Sequence, residues 1–178
     1  MKVLAIIFDG FEELEASAPF ALLRRAKIDL TIASDTNEVM GNHNIKISNA
    51  IPLSQINYKD YDCLLIPGGP HFKYLRVATH VHEMISYFME NNKFVAGICA
   101  APTIIGQLGY LKNRKYTCFT SMNKDFGGIY QDNGVVVDDK LITAKSAAYS
   151  IDFAYEIIRQ IAGQEILDAV WTQIYYEK

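Results

Sequence analysis

Short apolar runs alternate along the chain with segments whose apolar residues recur every three or four positions. Lys2–Phe8 is an apolar run that stops at Asp9-Gly10, the pattern of a buried strand entering a turn. Residues 12–27 follow as a predicted helix with acidic residues in its first turn, where the helix dipole favours them. Leu14, Ala18, Leu22 and Leu23 are read as its apolar side, and Pro19 is expected to kink it. Residues 28–33 alternate like a strand, and residues 62–66 form a second buried strand ending in Pro67-Gly68-Gly69-Pro70. Val77, Val81, Met84, Ile85 and Phe88 sit at helical spacing. Residues 93–98 read as strand, 101–108 as helix and 116–119 as strand. Val135–Val137 and Leu141–Thr143 flank Asp138-Asp139-Lys140 like a hairpin. Two closing helices are marked by Ile151, Ala154, Ile158 and Ile161, and then by Leu167, Val170 and Ile174.

Apolar strands alternating with amphipathic helices predict a mostly parallel sheet covered on both faces. The expected architecture is a flavodoxin-like, doubly wound α/β sandwich, with residues 1–178 forming a single domain. In such sheets ligands bind beyond the carboxyl ends of the strands. The segments after Phe8, Ile66 and Ile98 are therefore expected to converge. They contain a glutamate cluster, a Gly-Gly turn and a cysteine.

Composition narrows the class. Half of the 178 residues are apolar, which argues against disorder. The net charge of −3 and pI near 5.8 leave no basic footprint for nucleic acid or an anionic membrane. Asp9, Glu12, Glu13 and Glu15 interrupt the start of the chain too early for a signal peptide. The uncharged stretch from Phe94 to Leu111 is broken by Gly97, Pro102, Gly106 and Gly109, so it reads as strand, turn and core helix rather than a membrane span. Cys63, Cys99 and Cys118 make no even disulfide set, so a reducing cytoplasm is expected.

Cys99 lies in Gly97-Ile98-Cys99-Ala100-Ala101, between an apolar strand and a helix. Small neighbours at 97, 100 and 101 allow a tight nucleophile elbow, and helix N–H groups there favour a thiolate. The pattern alone fits an inert buried thiol equally well. Cys63 and Cys118 read as structure. Glu15, one turn into the first helix, is either an exposed acid or a buried carboxylic acid able to donate to a thiolate. Leu14 and Ala18 favour the inward reading, whereas Glu12 and Glu13 are expected to be exposed. Gly68-Gly69 can bring backbone N–H groups close to a ligand and, with the amide of Ala100, form an oxyanion hole above Cys99. His71 directly follows the Gly-Gly-Pro turn, within reach of the same crevice, but a solvated loop position is the expected one. His80 and His82, two apart on a helix, point in different directions and make no metal site. No Gly-x-Gly-x-x-Gly follows the first strand and no phosphate loop is present, so no cofactor is expected.

The assembled segments resemble the ThiJ/PfpI superfamily, in its DJ-type branch of small cysteine proteins. The resemblance rests on residues 8–15 (Phe-Asp-Gly-Phe-Glu-Glu-Leu-Glu), Leu23-Arg24-Arg25-Ala26, Leu65-Ile66-Pro67-Gly68-Gly69, residues 96–102 around Cys99, and Asp125-Phe126-Gly127-Gly128. It implies that Cys99 is the reactive cysteine, Glu15 its partner, and Gly69 and Ala100 the N–H donors to a bound oxygen. It further implies a readily oxidised cysteine, a small reactive aldehyde or oxidant as partner, and a homodimer with the first helix near its interface. The roles it suggests are glyoxalase or deglycase, with redox sensor or chaperone as the alternative. Many relatives carry a histidine after the second glycine of the later Gly-Gly, where this chain has Ile129. The peptidase branch has a histidine directly after its cysteine, where this chain has Ala100, so a peptidase is the poorest reading.

Overall fold

The structure is a computed structural model describing residues 1–176. The first half runs β1 (Lys2–Ile6), α1 (Glu13–Arg25), β2 (Asp29–Ser34), β3 (Glu38–Met40), β4 (Lys46–Ser48), β5 (Ile51–Pro52) and β6 (Cys63–Ile66). Then come α2 (Phe72–Leu75), α3 (Thr79–Glu90), β7 (Phe94–Ile98) and α4 (Ala101–Gln107). The remainder is β8 (Lys115–Tyr116), β9 (Ile129–Tyr130), β10 (Val135–Asp138), β11 (Leu141–Ala144), α5 (Ser150–Ala162) and α6 (Gln164–Gln173).

One sheet has the order β10-β11-β7-β6-β1-β2-β5, parallel throughout except for the β10–β11 hairpin. This is the predicted doubly wound sandwich. The period of two along β1 sorts its side chains between two cores. Val3, Ala5 and Ile7 pack with Phe20 and Leu23 of α1 and Phe153 and Ile157 of α5. Leu4, Ile6 and Phe8 face the opposite way, with Val81, Ile85 and Phe88 of α3 and Ile104 of α4. The order reverses at the β1–β6 pair, and the loops leaving β1, β6 and β7 meet there.

The local departures have physical causes. Of the predicted strand 116–119 only Tyr116 is in a strand, the two-residue β8, whose partner β9 offers just Ile129 and Tyr130. A β3–β4 hairpin, too polar to read as strands, packs Val39 inward at 1 % exposure. Leu14 is 53 % exposed, so it does not belong to the apolar side of α1. The buried face instead carries Glu15, Ala16, Pro19, Phe20, Leu22 and Leu23, and the helix runs unbroken through Pro19. Phe94–Leu111 divides into β7, the turn at Cys99 and α4, and no helix among the described residues is long and apolar enough to cross a membrane.

Candidate active site

Cys99 follows β7 directly with φ +63°, a left-handed backbone conformation that a side-chain-bearing residue adopts only when its surroundings impose it. Here they do. The Cys99 N–H donates to the Ala144 carbonyl at 2.9 Å, and the Cys99 carbonyl accepts from Phe119 N–H at 2.8 Å. Gly97 lets α4 approach the strand, since a Cβ there would stand 3.4 Å from both Ile105 Cδ1 and the Pro102 nitrogen. The sharp strand-to-helix turn anticipated from Gly97, Ala100 and Ala101 is present.

Glu15 is 1 % exposed and faces the elbow. The helix start puts it there: Glu12 caps α1 by accepting the Glu15 N–H at 2.7 Å. The Glu15 carboxyl accepts the Gly68 N–H at 2.9 Å and lies across Gly68 from the Cys99 side chain, close enough for each group to perturb the other's titration. Only glycine fits at 68, because a Cβ would fall 2.6 Å from Cys99 Cβ and closer still to Glu15 Oε2. Gly69 follows with φ +104°, and its N–H joins that of Ala100 in pointing at the Cys99 sulfur. The structure thus brings Glu15, Gly68, Gly69, Cys99 and Ala100 together.

Three expectations need correction. His71 is 2 % exposed rather than solvated: Nδ1 accepts Phe8 N–H at 3.3 Å and Nε2 donates to the Pro67 carbonyl at 2.8 Å. It ties the end of β1 to the Pro67–Gly69 turn, and nothing in the local sequence announces such long-range pairing. Glu13 is 4 % exposed, because loop 41–45 folds over it and the N–H groups of His43 and Ile45 donate to its Oε1. Helix N–H groups also do not dominate the thiol. Burial pushes Cys99 upward, the negative charge of Glu15 adds to this, and the Ala100 and Gly69 amides only partly offset both.

Burial also pushes Glu15 up to about 7 and His71 down to about 4. Their effects on stability oppose each other. Glu15 keeps a proton that the unfolded chain releases, so its contribution falls as pH rises from about 4.5 to about 7. His71 refuses a proton that the unfolded chain accepts, so its contribution falls as pH drops from about 6.5 to about 4. In the shared window each changes by about 1.4 kcal/mol per pH unit, with opposite sign. Relative to wild type, a Glu15→Gln variant should therefore gain melting temperature as pH rises from 4.5 to 6.5, while His71→Phe loses it. Parallel melting curves for all three would overturn this assignment.

A cavity of about 310 Å³ opens over Cys99, lined by Gly69, Pro70, Phe72, Lys73, Ala100, Phe119 and Met122. Among the described residues no histidine lines it. Ile129 is 52 % exposed on β9 and is not among the lining residues. Cys63 and Cys118 are fully buried in the two cores. His82 bonds the Leu75 carbonyl while His80 faces Asp35, so these histidines do not converge. Among the described residues, Glu12, Glu13 and His43 are the one group with metal-ligand character, their ligand atoms within 4.8 Å of one another. Glu12 caps α1 and Glu13 holds the 41–45 loop, so both acids already have structural roles.

A parallel α/β sheet with a strained cysteine elbow, a buried carboxylic partner and two convergent N–H groups defines a cysteine-centred protein of the doubly wound class. Comparison with known proteins is consistent with that class. Residues 1–160 match the model of the DJ-1/PfpI family. An uncharacterised protein of Staphylococcus aureus is 32 % identical over 167 residues, covering 90 % of this chain and 98 % of its own. Drosophila melanogaster DJ-1beta superposes with TM-score 0.92 at 26 % identity, covering 100 % of both chains. An oxidised Toxoplasma gondii DJ-1 superposes with TM-score 0.91 at 25 % identity, covering 99 % of each. The chain belongs to the DJ-1/PfpI family.

Proposed function

We propose that this protein acts in carbonyl and oxidative stress defence as a cofactor-free, glyoxalase-type enzyme on 2-oxoaldehydes, with Cys99 as nucleophile and Glu15 as proton carrier. The observation that carries the reading is the Glu15 carboxyl held against the Cys99 thiol inside the Gly68–Gly69 turn. Glu15 carboxylate takes the Cys99 thiol proton as the sulfur adds to the aldehyde carbon, and it returns that proton to the oxygen, which the Gly69 and Ala100 N–H groups stabilise. Glu15 carboxylate then removes the aldehyde-derived C–H proton and returns it to the neighbouring carbon, converting the hemithioacetal into a 2-hydroxyacyl thioester. Water cleaves the thioester, releasing a 2-hydroxy acid and the thiol. No external oxidant or reductant enters the balance.

The test uses the burial of Cys63 and Cys118. One equivalent of iodoacetamide should label Cys99 alone by mass spectrometry and abolish lactate formation from methylglyoxal in proportion. Lactate formation persisting with Cys99 fully labelled would refute the reading.

A redox-sensing role is favoured by the same donors, since Gly69 N–H, Ala100 N–H and protonated Glu15 suit sulfinate oxygens. The oxidised Toxoplasma neighbour supports it by analogy. Two peroxide molecules would oxidise the thiolate stepwise to sulfinate, each leaving as water. Mild peroxide should add two oxygens at Cys99, and oxidation spread over all three cysteines would remove this second reading. The exposed Leu14 on α1 and Ile45 in the adjoining loop support self-association through that face.

A further inference from the structure

We propose that the cavity over Cys99 selects 2-oxoaldehydes bearing an aromatic or branched apolar substituent, with Phe119 and Met122 setting the preference. The inference rests on the aldehyde reading and specifies its substrate class.

The pocket is open to solvent and offers about 310 Å³, more than methylglyoxal fills, whose substituent is a single methyl group. Its walls are apolar. Phe72 follows the Gly69 turn directly, and the Arg76 guanidinium lies 4.9 Å over its ring. Opposite in the chain, Phe119 is fixed to the elbow itself, its N–H donating to the Cys99 carbonyl at 2.8 Å. Met122 closes the same turn by donating its N–H to the Phe119 carbonyl at 2.8 Å.

Phe119 remains 42 % exposed although it sits beside the thiol. An apolar substituent attached to the bound aldehyde would cover that ring and remove both surfaces from water. Met122 adds an unbranched, polarisable side chain that adapts to a ring edge. Lys73 is the charged residue of the lining, and it is exposed. The lining carries no carboxylate, so a cationic substituent would find no counter-charge.

The test compares kcat/KM for phenylglyoxal, followed as mandelate, with that for methylglyoxal, followed as lactate. Each value is divided by the rate of addition of a free thiol to the same aldehyde, which removes intrinsic electrophilicity. The normalised ratio should favour phenylglyoxal by about tenfold or more. Phe119→Ala and Met122→Ala should each lower it several-fold through KM for phenylglyoxal, and Phe119→Leu should restore most of it. A ratio at or below unity, or one unmoved by both alanine variants, would overturn the preference. Labelling of Cys99 by phenacyl chloride against chloroacetone provides a readout independent of turnover. Faster normalised labelling by the aryl reagent without any Cys99-dependent hydroxy acid would uphold the cavity's selectivity and sink the aldehyde reaction. Equal normalised labelling would sink the selectivity.

Discussion

Exchanging Cys99 for serine is expected to leave a folded protein whose lactate formation falls to the background, a loss of about 1,000-fold or more. The side chain is held at φ +63° by backbone bonds to Ala144 and Phe119 that serine retains. What disappears is the nucleophile. A serine hydroxyl, with no histidine in the cavity to take its proton, stays protonated at neutral pH. Initial rates with methylglyoxal check the loss, and melting curves confirm that the fold survives. Serine and wild-type proteins producing lactate equally would end the enzymatic account.

Glu15→Gln should cost about 100-fold or more in kcat. Among the described residues no histidine lines the cavity over Cys99, so the whole transfer falls on Glu15. The amide fills the same space but cannot cycle a proton. It also puts an NH2 group where the carboxyl has a second acceptor oxygen, which weakens the hydrogen bonding that Glu15 makes at the Gly68 turn. Assays well below the melting temperature separate the two effects. A glutamine variant within twofold of wild type would show that Glu15 moves no proton.

The sheet, its parallel order and the elbow were legible because they are written in local patterns. A run such as Val3–Phe8 has no polar residue to expose, and Gly97, Ala100 and Ala101 leave room for a sharp turn at Cys99. The inward position of Glu15 is not explained by Leu14, which faces solvent at 53 % exposure. The position is set by the Glu12 cap and the Gly68 amide, a contact between residues 53 positions apart. His71, Glu13 and the Phe119–Met122 wall were missed for the same reason. Each owes its environment to a distant segment: Phe8 and Pro67 for His71, the 41–45 loop for Glu13, and the Cys99 carbonyl for Phe119. Spacing along a chain does not encode such pairings.

The central claim is that Glu15 and Cys99 titrate as one unit, and the pH dependence of Cys99 alkylation tests it most directly. Burial and mutual repulsion leave the pair with a single proton once the first is lost, and the second is held far into alkaline pH. The iodoacetamide rate of the wild type should therefore rise through a step near pH 7 and then stay level to pH 9. In Glu15→Gln the cysteine titrates alone, and its rate should keep climbing over the same range. Superimposable profiles for the two proteins would contradict the coupling and, with it, the account of how this site works.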